Sequence, residues 1–261
     1  MKNLLKNKKI VFLDLDGTIY LGNEMINGAK KFLKDLDSAG IKYYFLSNNS
    51  SRSKLDYVKK LSGLGIDTTQ KSIILSTDGV IDFLIQKKVK ETYIVGTRSM
   101  IQMFVEAGIN PDSSSPKYVV LGFDTELVYE KLKKAALFML EDIPLLATHP
   151  DLVCPTPLGP IPDIGSMLAL LEKATGKKAL KIFGKPNIEM VLHIMKKHQV
   201  TSNEVGMVGD RIYTDMELAN RLECDFFLVL SGETSAREAA RLKKKPAVVA
   251  ENVGKIIPQS R

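Results

Sequence analysis

Short, nearly uninterrupted apolar runs recur along this chain, and segments with the hydrophobic period of a helix lie between them. Outside the middle of the chain, the runs are residues 10–13, 43–46, 205–208 and 226–230. Continuous rather than alternating hydrophobicity is typical of parallel strands that are covered on both faces. Residues 28–39 place Ala29, Phe32, Leu33 and Leu36 on one face of a helix that ends at a glycine. The pattern predicts an α/β fold built on a parallel sheet.

Polar residues follow each of these predicted strands at the point where the strand ends. They are Asp14, Ser47, Asn48, Asn49, Gly209, Asp210, Ser231 and Gly232. In open parallel sheets ligands bind beyond the carboxyl ends of the strands, so we expect these residues to converge although they are far apart in the chain. The sequence therefore predicts a ligand site at that edge of the sheet.

The middle of the chain has its own strand candidates, at residues 92–95, 118–121 and 144–147, with helical segments between them. Because sequence on both sides of it contributes to the predicted polar cluster, we interpret it as a second α/β domain inserted into the first. The predicted division is a core domain in residues 1–77 and 179–261 and an inserted domain in residues 78–178. Residues 148–165 contain five of the eleven prolines, so we expect there a long loop without regular structure that shapes a pocket.

Composition narrows the class of protein. The 261 residues, 44% hydrophobic and 26% charged, are typical of a soluble globular chain with a sizeable core. The net charge of +7 favours anionic partners, but the basic residues are spread in short groups, so nucleic acid is not an expected partner. Cys154 and Cys224 lie far apart and predict neither a zinc site nor a disulfide framework. The first apolar run is too short for a signal peptide or a membrane span, so we expect a cytoplasmic protein with no membrane partner.

The strongest local signal is the sequence Asp14-Leu15-Asp16-Gly17-Thr18, directly after the first predicted strand. Two carboxylates two residues apart at a strand end face one point, and Gly17 permits a tight turn that bends backbone amides toward an anion. Taken alone, the pair also suits an acidic turn or a calcium loop.

A second acidic group, Asp210 and Asp215, follows another predicted strand. Several converging carboxylates repel one another, and a hard divalent cation with oxygen ligands offsets that cost most simply. Magnesium is the natural choice of cation. Taken alone, Asp210 also suits a helix cap and Asp215 a solvated helix face.

Two further signals are weaker by themselves. Lys185, between a glycine and a proline, is a candidate to bind a phosphate or the carboxylate of a nucleophile, although a lone lysine is usually a surface residue. Ser47, Asn48 and Asn49 offer a hydroxyl, backbone amides and a carboxamide to an oxyanion, but the same residues are common before a helix.

Taken together, in this order and each after a strand, the four motifs resemble the signatures of the haloacid-dehalogenase-like (HAD) phosphatase superfamily. An α/β segment inserted between Ser47 and Lys185, and the sequence Ala147-Thr148-His149-Pro150-Asp151 with Gly165-Ser166, are similar to its nitrophenylphosphatase and NagD-like branch of nucleotide and sugar phosphatases. The resemblance implies a Rossmann-like parallel-sheet core with an inserted α/β cap. It also implies a Mg²⁺-dependent phosphatase that hydrolyses small phosphomonoesters: sugar phosphates, nucleotides or aryl phosphates.

The resemblance assigns roles to particular residues. Asp14 would be the nucleophile that forms an aspartyl-phosphate, and Asp16 the acid and then the base. The metal would be held by Asp14, the backbone carbonyl of Asp16 and Asp210, with Asp215 orienting these ligands. The residues expected to bind phosphate or substrate are Gly17, Thr18, Ser47, Asn48, Asn49, Lys185 and, in the cap, His149 and Asp151. A lone histidine such as His149 is also common as a structural residue, and Gly22-Asn23 is expected to form the turn of a small hairpin flap.

Two alternatives remain open at this point. A phosphotransferase or phosphomutase would use the same scaffold and pass the phosphoryl group to a sugar hydroxyl instead of water. A receiver-like module would carry a persistent aspartyl-phosphate as a switch, with no evident role for Asp16 or the inserted domain. The expected partner is a small phosphorylated metabolite, and a homodimer is an assembly that the prediction allows.

Overall fold

The protein is described by a computed structural model that covers residues 5, 7–156 and 158–256. Its contacts divide the chain into two compact units. The first unit comprises Met1–Ser47, Val58–Ile74 and Lys185–Arg261, and the second comprises Asn48–Tyr57 and Leu75–Gly184. The second unit therefore includes a short segment directly after Ser47. The expected domain boundaries at 77/78 and 178/179 stay a prediction about independently folding parts.

Strands and helices alternate along the chain, as the hydrophobic pattern predicts. The strands are β1 (Ile10–Asp14), β2 (Tyr20–Leu21), β3 (Glu24–Met25), β4 (Lys42–Ser47), β5 (Ile73–Leu75), β6 (Thr92–Val95), β7 (Tyr118–Leu121), β8 (Leu145–Ala147), β9 (Val153–Cys154), β10 (Ile161–Pro162), β11 (Lys181–Ile182), β12 (Val205–Gly209), β13 (Asp225–Val229) and β14 (Val248–Ala250). The α-helices are α1 (Ala29–Ser38), α2 (Lys54–Gly63), α3 (Ser76–Gln86), α4 (Arg98–Glu106), α5 (Tyr129–Leu140), α6 (Ile164–Thr175), α7 (Glu189–His198), α8 (Glu217–Leu222) and α9 (Ala236–Arg241).

The first unit is built on a six-stranded sheet in the order β14-β13-β12-β1-β4-β5. The central strand β1 pairs in parallel with β12 on one side and with β4 on the other. All five residues of β1 and of β12 are buried, as expected for strands covered on both faces. The four apolar runs predicted outside the middle of the chain correspond to β1, β4, β12 and β13. The predicted α/β class with a Rossmann-like parallel core is therefore confirmed.

Two helices of this unit each bury an apolar face. Helix α1 buries Ala29, Phe32, Leu33 and Leu36, the four positions that the helical period selects. Helix α7 contributes Met190, Val191 and Ile194 to a core cluster that also contains residues of β1, β12 and β13. The sheet edge that carries the polar residues is thus held by a continuous apolar core beneath it.

A small hairpin follows β1 in the same unit. Strands β2 and β3 pair antiparallel with Leu21 opposite Glu24, so Gly22 and Asn23 form the two-residue turn. Gly22 has a φ of 59°, which glycine adopts readily and which tight hairpin turns need. The predicted hairpin is present at the predicted residues.

The second unit has a four-stranded sheet in the order β11-β8-β7-β6, with parallel pairing throughout. The three strand candidates predicted in the middle of the chain correspond to β6, β7 and β8. Two apolar clusters pack on this sheet, one around Phe123 and Met139 and one around Phe104 and Phe183. The second α/β body is therefore present in the part of the chain where it is predicted.

The proline-rich segment differs from its prediction. Strands β9 and β10 pair antiparallel inside it, with Cys154 opposite Ile161 and Val153 opposite Pro162. Branched side chains favour the extended conformation, and a strand pair with two open edges tolerates a proline because its missing N–H need not face a partner. The expectation of a loop without regular structure was wrong, and Pro157 lies outside the described residues.

The two cysteines and the helix lengths bear on two further expectations from the sequence. Among the described residues, neither Cys154 nor Cys224 forms a disulfide bond. Within the described ranges, none of the helices combines the length and the apolar character that crossing a membrane requires.

Gly28 provides a test of the packing of the first unit. It has a φ of +81°, and a Cβ added there would lie 2.5 Å from the Cα of Gly254. We expect Gly28→Ala to lower the free energy of unfolding by about 2–4 kcal/mol, from left-handed strain and backbone overlap. The matched control Gly40→Ala has a φ of +69° with no described atom within 4 Å of the new Cβ, and should cost about 1–2 kcal/mol. Equal losses in urea unfolding would contradict the close approach.

Candidate active site

The candidate site lies at the carboxyl ends of three neighbouring strands of the first unit. Strand β1 ends at Asp14, β4 ends at Ser47, and Asp210 follows the last residue of β12. Asp14 is opposite Leu46 in the β1–β4 register, which places Ser47 one residue beyond it. Because parallel strands end at a common edge, residues separated by nearly 200 positions in the chain come together here.

Lys185 is the cation of the site. Its side chain is 2% exposed, and its ammonium donates hydrogen bonds to Oδ1 of Asp14 and, at 2.7 Å, to Oδ1 of Asp215. Desolvation lowers the pKa of Lys185, but the combined attraction of Asp14 and Asp215 outweighs it, and the pKa is raised above the ordinary value. Lys185 therefore stays charged and holds two acidic groups in place.

Asp210 is a buried carboxylate with one engaged oxygen and one that has no protein partner. Its Oδ2 accepts a hydrogen bond of 2.6 Å from the backbone N–H of Glu233, whereas its Oδ1 has no partner in the part of the chain that the structure describes. Burial, followed by repulsion from Asp14 and Asp215, raises the pKa of Asp210 well above its ordinary value. A buried acceptor without a partner is costly, and a bound cation would satisfy this one.

Asp215 is the opposite case, since both of its oxygens are engaged. Its Oδ1 accepts from Lys185, and its Oδ2 accepts from the backbone N–H of Arg211 at 3.1 Å. Burial raises the pKa of Asp215 to about 6, and Lys185 opposes this effect. The side chain is fully buried and packs so closely on Gly209 that a Cβ there would lie 2.3 Å from its Oδ2. Asp215 therefore suits the orienting role better than direct contact with a metal.

The donor set fits a divalent cation. Asp14, Asp210 and Asp215 can each offer a carboxylate oxygen, and these atoms lie within 4.8 Å of one another. Hard oxygen donors are the ligands that Mg²⁺ and similar cations select. Among the described residues, Asp210 has an oxygen without a partner, and Oδ2 of Asp14 accepts only a long hydrogen bond of 3.5 Å from the Thr18 hydroxyl. Asp14 and Asp210 are therefore better able than Asp215 to bind the cation directly.

The loop after β1 forms a compact turn around the carbonyl of Leu15. This oxygen accepts hydrogen bonds from the N–H groups of Thr18, Ile19 and Tyr20 at 3.2, 2.8 and 3.2 Å. The N–H of Gly17 donates to the carbonyl of Tyr20 at 2.8 Å. The amides of Gly17 and Thr18 are therefore engaged within the loop, and the expectation that the turn bends backbone amides toward an anion stays a prediction.

Asp16 projects from this loop and is exposed, whereas Asp14 is buried. Desolvation by the surrounding protein atoms raises the pKa of the Asp16 carboxyl, Lys60 lowers it, and the negative charge of Asp14 raises it further. The result is a pKa above the ordinary value for aspartate, which increases the fraction of Asp16 that carries a proton. This is the property that a general acid needs.

Comparisons with known proteins agree with this geometry. Residues 11–110 match the family model of haloacid dehalogenase-like hydrolases, and residues 182–256 match a second, HAD-hydrolase-like model. The solved structure of a 4-nitrophenylphosphatase from Thermotoga maritima is 36% identical, with a TM-score of 0.94 over 99% of this chain and 100% of that one. The chain belongs to the haloacid dehalogenase-like hydrolase family. This result confirms the predicted resemblance.

Two curated relatives are similar over most of their length. The acid sugar phosphatase of Staphylococcus haemolyticus is 29% identical over 93% of this chain and 92% of that protein. The 5′-nucleotidase YutF of Bacillus subtilis is 29% identical over 97% of this chain and 99% of that protein. The expected class of enzyme, a phosphoric monoester hydrolase of the HAD family, agrees with these relatives.

The four remaining residues predicted to contact substrate belong to the second unit of this HAD protein. Asn48 donates from its side chain to Asp151, and Asn49 accepts hydrogen bonds from Ser51. His149 is fully buried, with Nδ1 lying 3.1 Å from the Thr148 hydroxyl and Nε2 lying 3.0 Å from Oδ1 of Asp163. Both ring nitrogens of His149 therefore have protein partners, as in a structural histidine.

Sequence reasoning missed part of the HAD site. The loop after β13 contributes the N–H of Glu233 to Asp210 and the hydroxyl of Ser231, which donates to the carbonyl of Gly17 at 2.6 Å. The polar end of β13 was noted as a signal, but no role was drawn from it. Lys60, on helix α2, lowers the pKa of Asp16, and no local sequence motif marks Lys60 as part of the site.

Gly232 tests the assignment of Asp210 as a metal ligand. A Cβ at this position would lie 1.9 Å from Oδ2 of Asp210, so Gly232→Ala must displace that carboxylate. We expect the affinity for Mg²⁺ to fall at least about tenfold, as measured by titration calorimetry. The matched control is Gly63→Ala, which has no described atom within 4 Å of the new Cβ and should bind Mg²⁺ as the unchanged protein does. Equal affinity in both variants would remove Asp210 from the ligand set.

Proposed function

We propose that this protein is a Mg²⁺-dependent phosphatase that hydrolyses small phosphomonoesters through an aspartyl-phosphate on Asp14. The observation that carries the proposal is the grouping of the Asp14 carboxylate with the buried Lys185 ammonium and with Asp210, whose Oδ1 has no protein partner among the described residues. Sugar phosphates, nucleotides and aryl phosphates are the proposed substrates, because the relatives are named for activity on these classes.

Asp14 is the proposed nucleophile. It is 7% exposed at the end of β1, where a rigid parallel sheet fixes its position. One of its carboxylate oxygens attacks phosphorus in line with the ester oxygen, and the bond from phosphorus to that ester oxygen breaks. Lys185 reduces the repulsion between the Asp14 carboxylate and the phosphate dianion, which would otherwise oppose their approach.

Asp16 is the proposed acid and base. In the first step its proton passes to the ester oxygen, and the alcohol leaves. In the second step a water molecule attacks phosphorus, a proton of that water returns to Asp16, and the bond from phosphorus to Asp14 breaks. The products are inorganic phosphate and the regenerated Asp14 carboxylate, with Asp16 protonated again.

Magnesium would be held by the Asp14 carboxylate, the backbone carbonyl of Asp16 and Asp210. When bound, it would supply the positive charge that lets Asp14 and the phosphate approach each other. Asp215 keeps Lys185 in position through their 2.7 Å hydrogen bond. Ser47 and Lys185 are proposed to bind the phosphate oxygens, and Gly17 and Thr18 to shape the loop that carries Asp16.

Selectivity for the leaving group is proposed to come from the second unit, because the residues of the first unit that are assigned here act on the phosphoryl group and the metal. His149 and Asp151 stay predictions in this role. The burial of His149 and the engagement of both its ring nitrogens favour a structural role for it.

Asp14→Asn tests the nucleophile. We expect Mg²⁺-dependent release of phosphate from 4-nitrophenyl phosphate to fall at least about a thousandfold, because a carboxamide is a very poor nucleophile. The matched control is Asp37→Asn, an exposed residue of α1, which should keep full turnover. Thermal unfolding should show that both variants are folded. Retained turnover in folded Asp14→Asn would remove Asp14 as the nucleophile.

Asp16→Asn separates the two steps. An alkyl phosphate needs a proton on its leaving group, so we expect its hydrolysis to fall by about 10²–10⁴-fold. 4-Nitrophenolate leaves without that proton, so 4-nitrophenyl phosphate should give a burst of nitrophenol and then slow turnover, as the aspartyl-phosphate accumulates. Stopped-flow absorbance measures the burst. Equal losses for both substrates with no burst would contradict the dual role of Asp16.

A further inference from the structure

The chain passes between the two units at the residues proposed to bind phosphate. Ser47 is the last residue of its segment of the first unit, and Asn48 is the first residue of the second unit. Gly184 is the last residue of the second unit, and Lys185 returns the chain to the first. Whatever fixes Asn48 therefore acts on Ser47 through a single peptide bond.

Asn48 is fixed from several directions within the second unit. Its side-chain NH₂ lies 3.2 and 3.3 Å from the two oxygens of Asp151. Its backbone carbonyl accepts a 2.7 Å hydrogen bond from the hydroxyl of Ser76. A Cβ on Gly184 would lie only 2.8 Å from Oδ1 of Asn48, so these two residues of the second unit lie close together. Asn48 is 5% exposed, and water competes little for these bonds.

Asp151 is itself held in a charged network. Its carboxylate lies close to that of Asp163, since ligand atoms of His149, Asp151 and Asp163 are all within 4.8 Å of one another. Asp163 is satisfied by the His149 ring at 3.0 Å and by the N–H of Ile164 at 2.7 Å, where it caps α6. Asp163 is thus engaged by His149 and by the helix N-terminus, and the amide of Asn48 donates to the neighbouring carboxylate of Asp151.

We propose that Asp151 is a positioning residue that orients Ser47 through Asn48, and that it acts on phosphate binding rather than on the leaving group. This inference rests on the proposed function, in which Ser47 binds a phosphate oxygen. A small displacement of a phosphate-binding hydroxyl is enough to lose much of its contribution, because hydrogen bonds weaken steeply with distance and angle. Asp151 acts without touching substrate in this scheme.

A double-mutant cycle with Asn48→Ala and Asp151→Ala tests the proposal. Three quantities are measured: inhibition by inorganic phosphate, which has no leaving group, kcat/KM for 4-nitrophenyl phosphate, and kcat/KM for an alkyl phosphate. We expect each single variant to weaken phosphate inhibition about tenfold and to lower kcat/KM by the same factor for both substrates. The double variant should lose no more than either single variant. Asp151→Asn keeps an acceptor for Asn48 and should restore most of the loss.

A matched control is Asp112→Ala in the same unit, which removes an exposed carboxylate that binds Lys134 at 2.5 Å and should leave all three quantities unchanged. If Asp151→Ala unfolds, Asp151→Ser, too short to reach Asn48, carries the same expectation. The proposal is overturned if Asp151→Ala costs as much in the Asn48→Ala background as alone, or if the loss depends on the leaving group while phosphate inhibition is unchanged. If the protein without any substitution has no phosphatase activity, that result contradicts the proposed function instead.

Discussion

Repulsion among buried carboxylates is the constraint around which the site is organised. Asp14, Asp210 and Asp215 approach one another in a region that excludes water, and Lys185 is the ammonium that binds two of them. Arg211 also lowers the pKa of Asp210 and of Asp215, but the carboxylates still repel one another, and a divalent cation would offset that repulsion. Burial, followed by repulsion from the other carboxylates, raises the pKa of Asp210, and burial raises the pKa of Asp215. A divalent cation bound to these carboxylates would therefore stabilise the folded protein.

The parallel sheet offsets the repulsion of these carboxylates, because the acidic groups are attached to strands that an apolar core holds together. Glycine then lets the carboxylates approach the backbone. Gly232 and Gly209 lie so close to Asp210 and Asp215 that a Cβ at either position would overlap a carboxylate. Backbone N–H groups take the place of side chains as donors, as Glu233 and Arg211 show. Fixed amides do not reorganise during the reaction, which suits a site that stabilises charge.

Much of the core could be predicted from local pattern, because a buried parallel strand has a continuous apolar signature and its polar end is visible beside it. The hairpin at Gly22 follows from its turn residues in the same way. Contacts between distant segments have no such signature. The effect of Lys60 on the pKa of Asp16 depends on how a helix packs. The hydrogen bond from Asn48 to Asp151 joins residues that are 103 positions apart in the chain. The β9–β10 pairing was missed because proline content dominated a segment whose branched residues favour strands.

The proposed site residues differ in how near they lie to the points where the chain passes from one unit to the other. Asp14, Asp210 and Asp215, the carboxylates proposed to form or orient the metal site, all belong to the first unit. By contrast, Ser47 directly precedes Asn48, and Lys185 directly follows Gly184. Asn48 and Gly184 both belong to the second unit. In the proposed mechanism, the side chains that bind the cation belong to the first unit, and the two residues that bind phosphate lie where the chain changes unit. One core of this kind can serve several substrates if the parts that contact the leaving group vary, and the relatives are indeed named for different substrates.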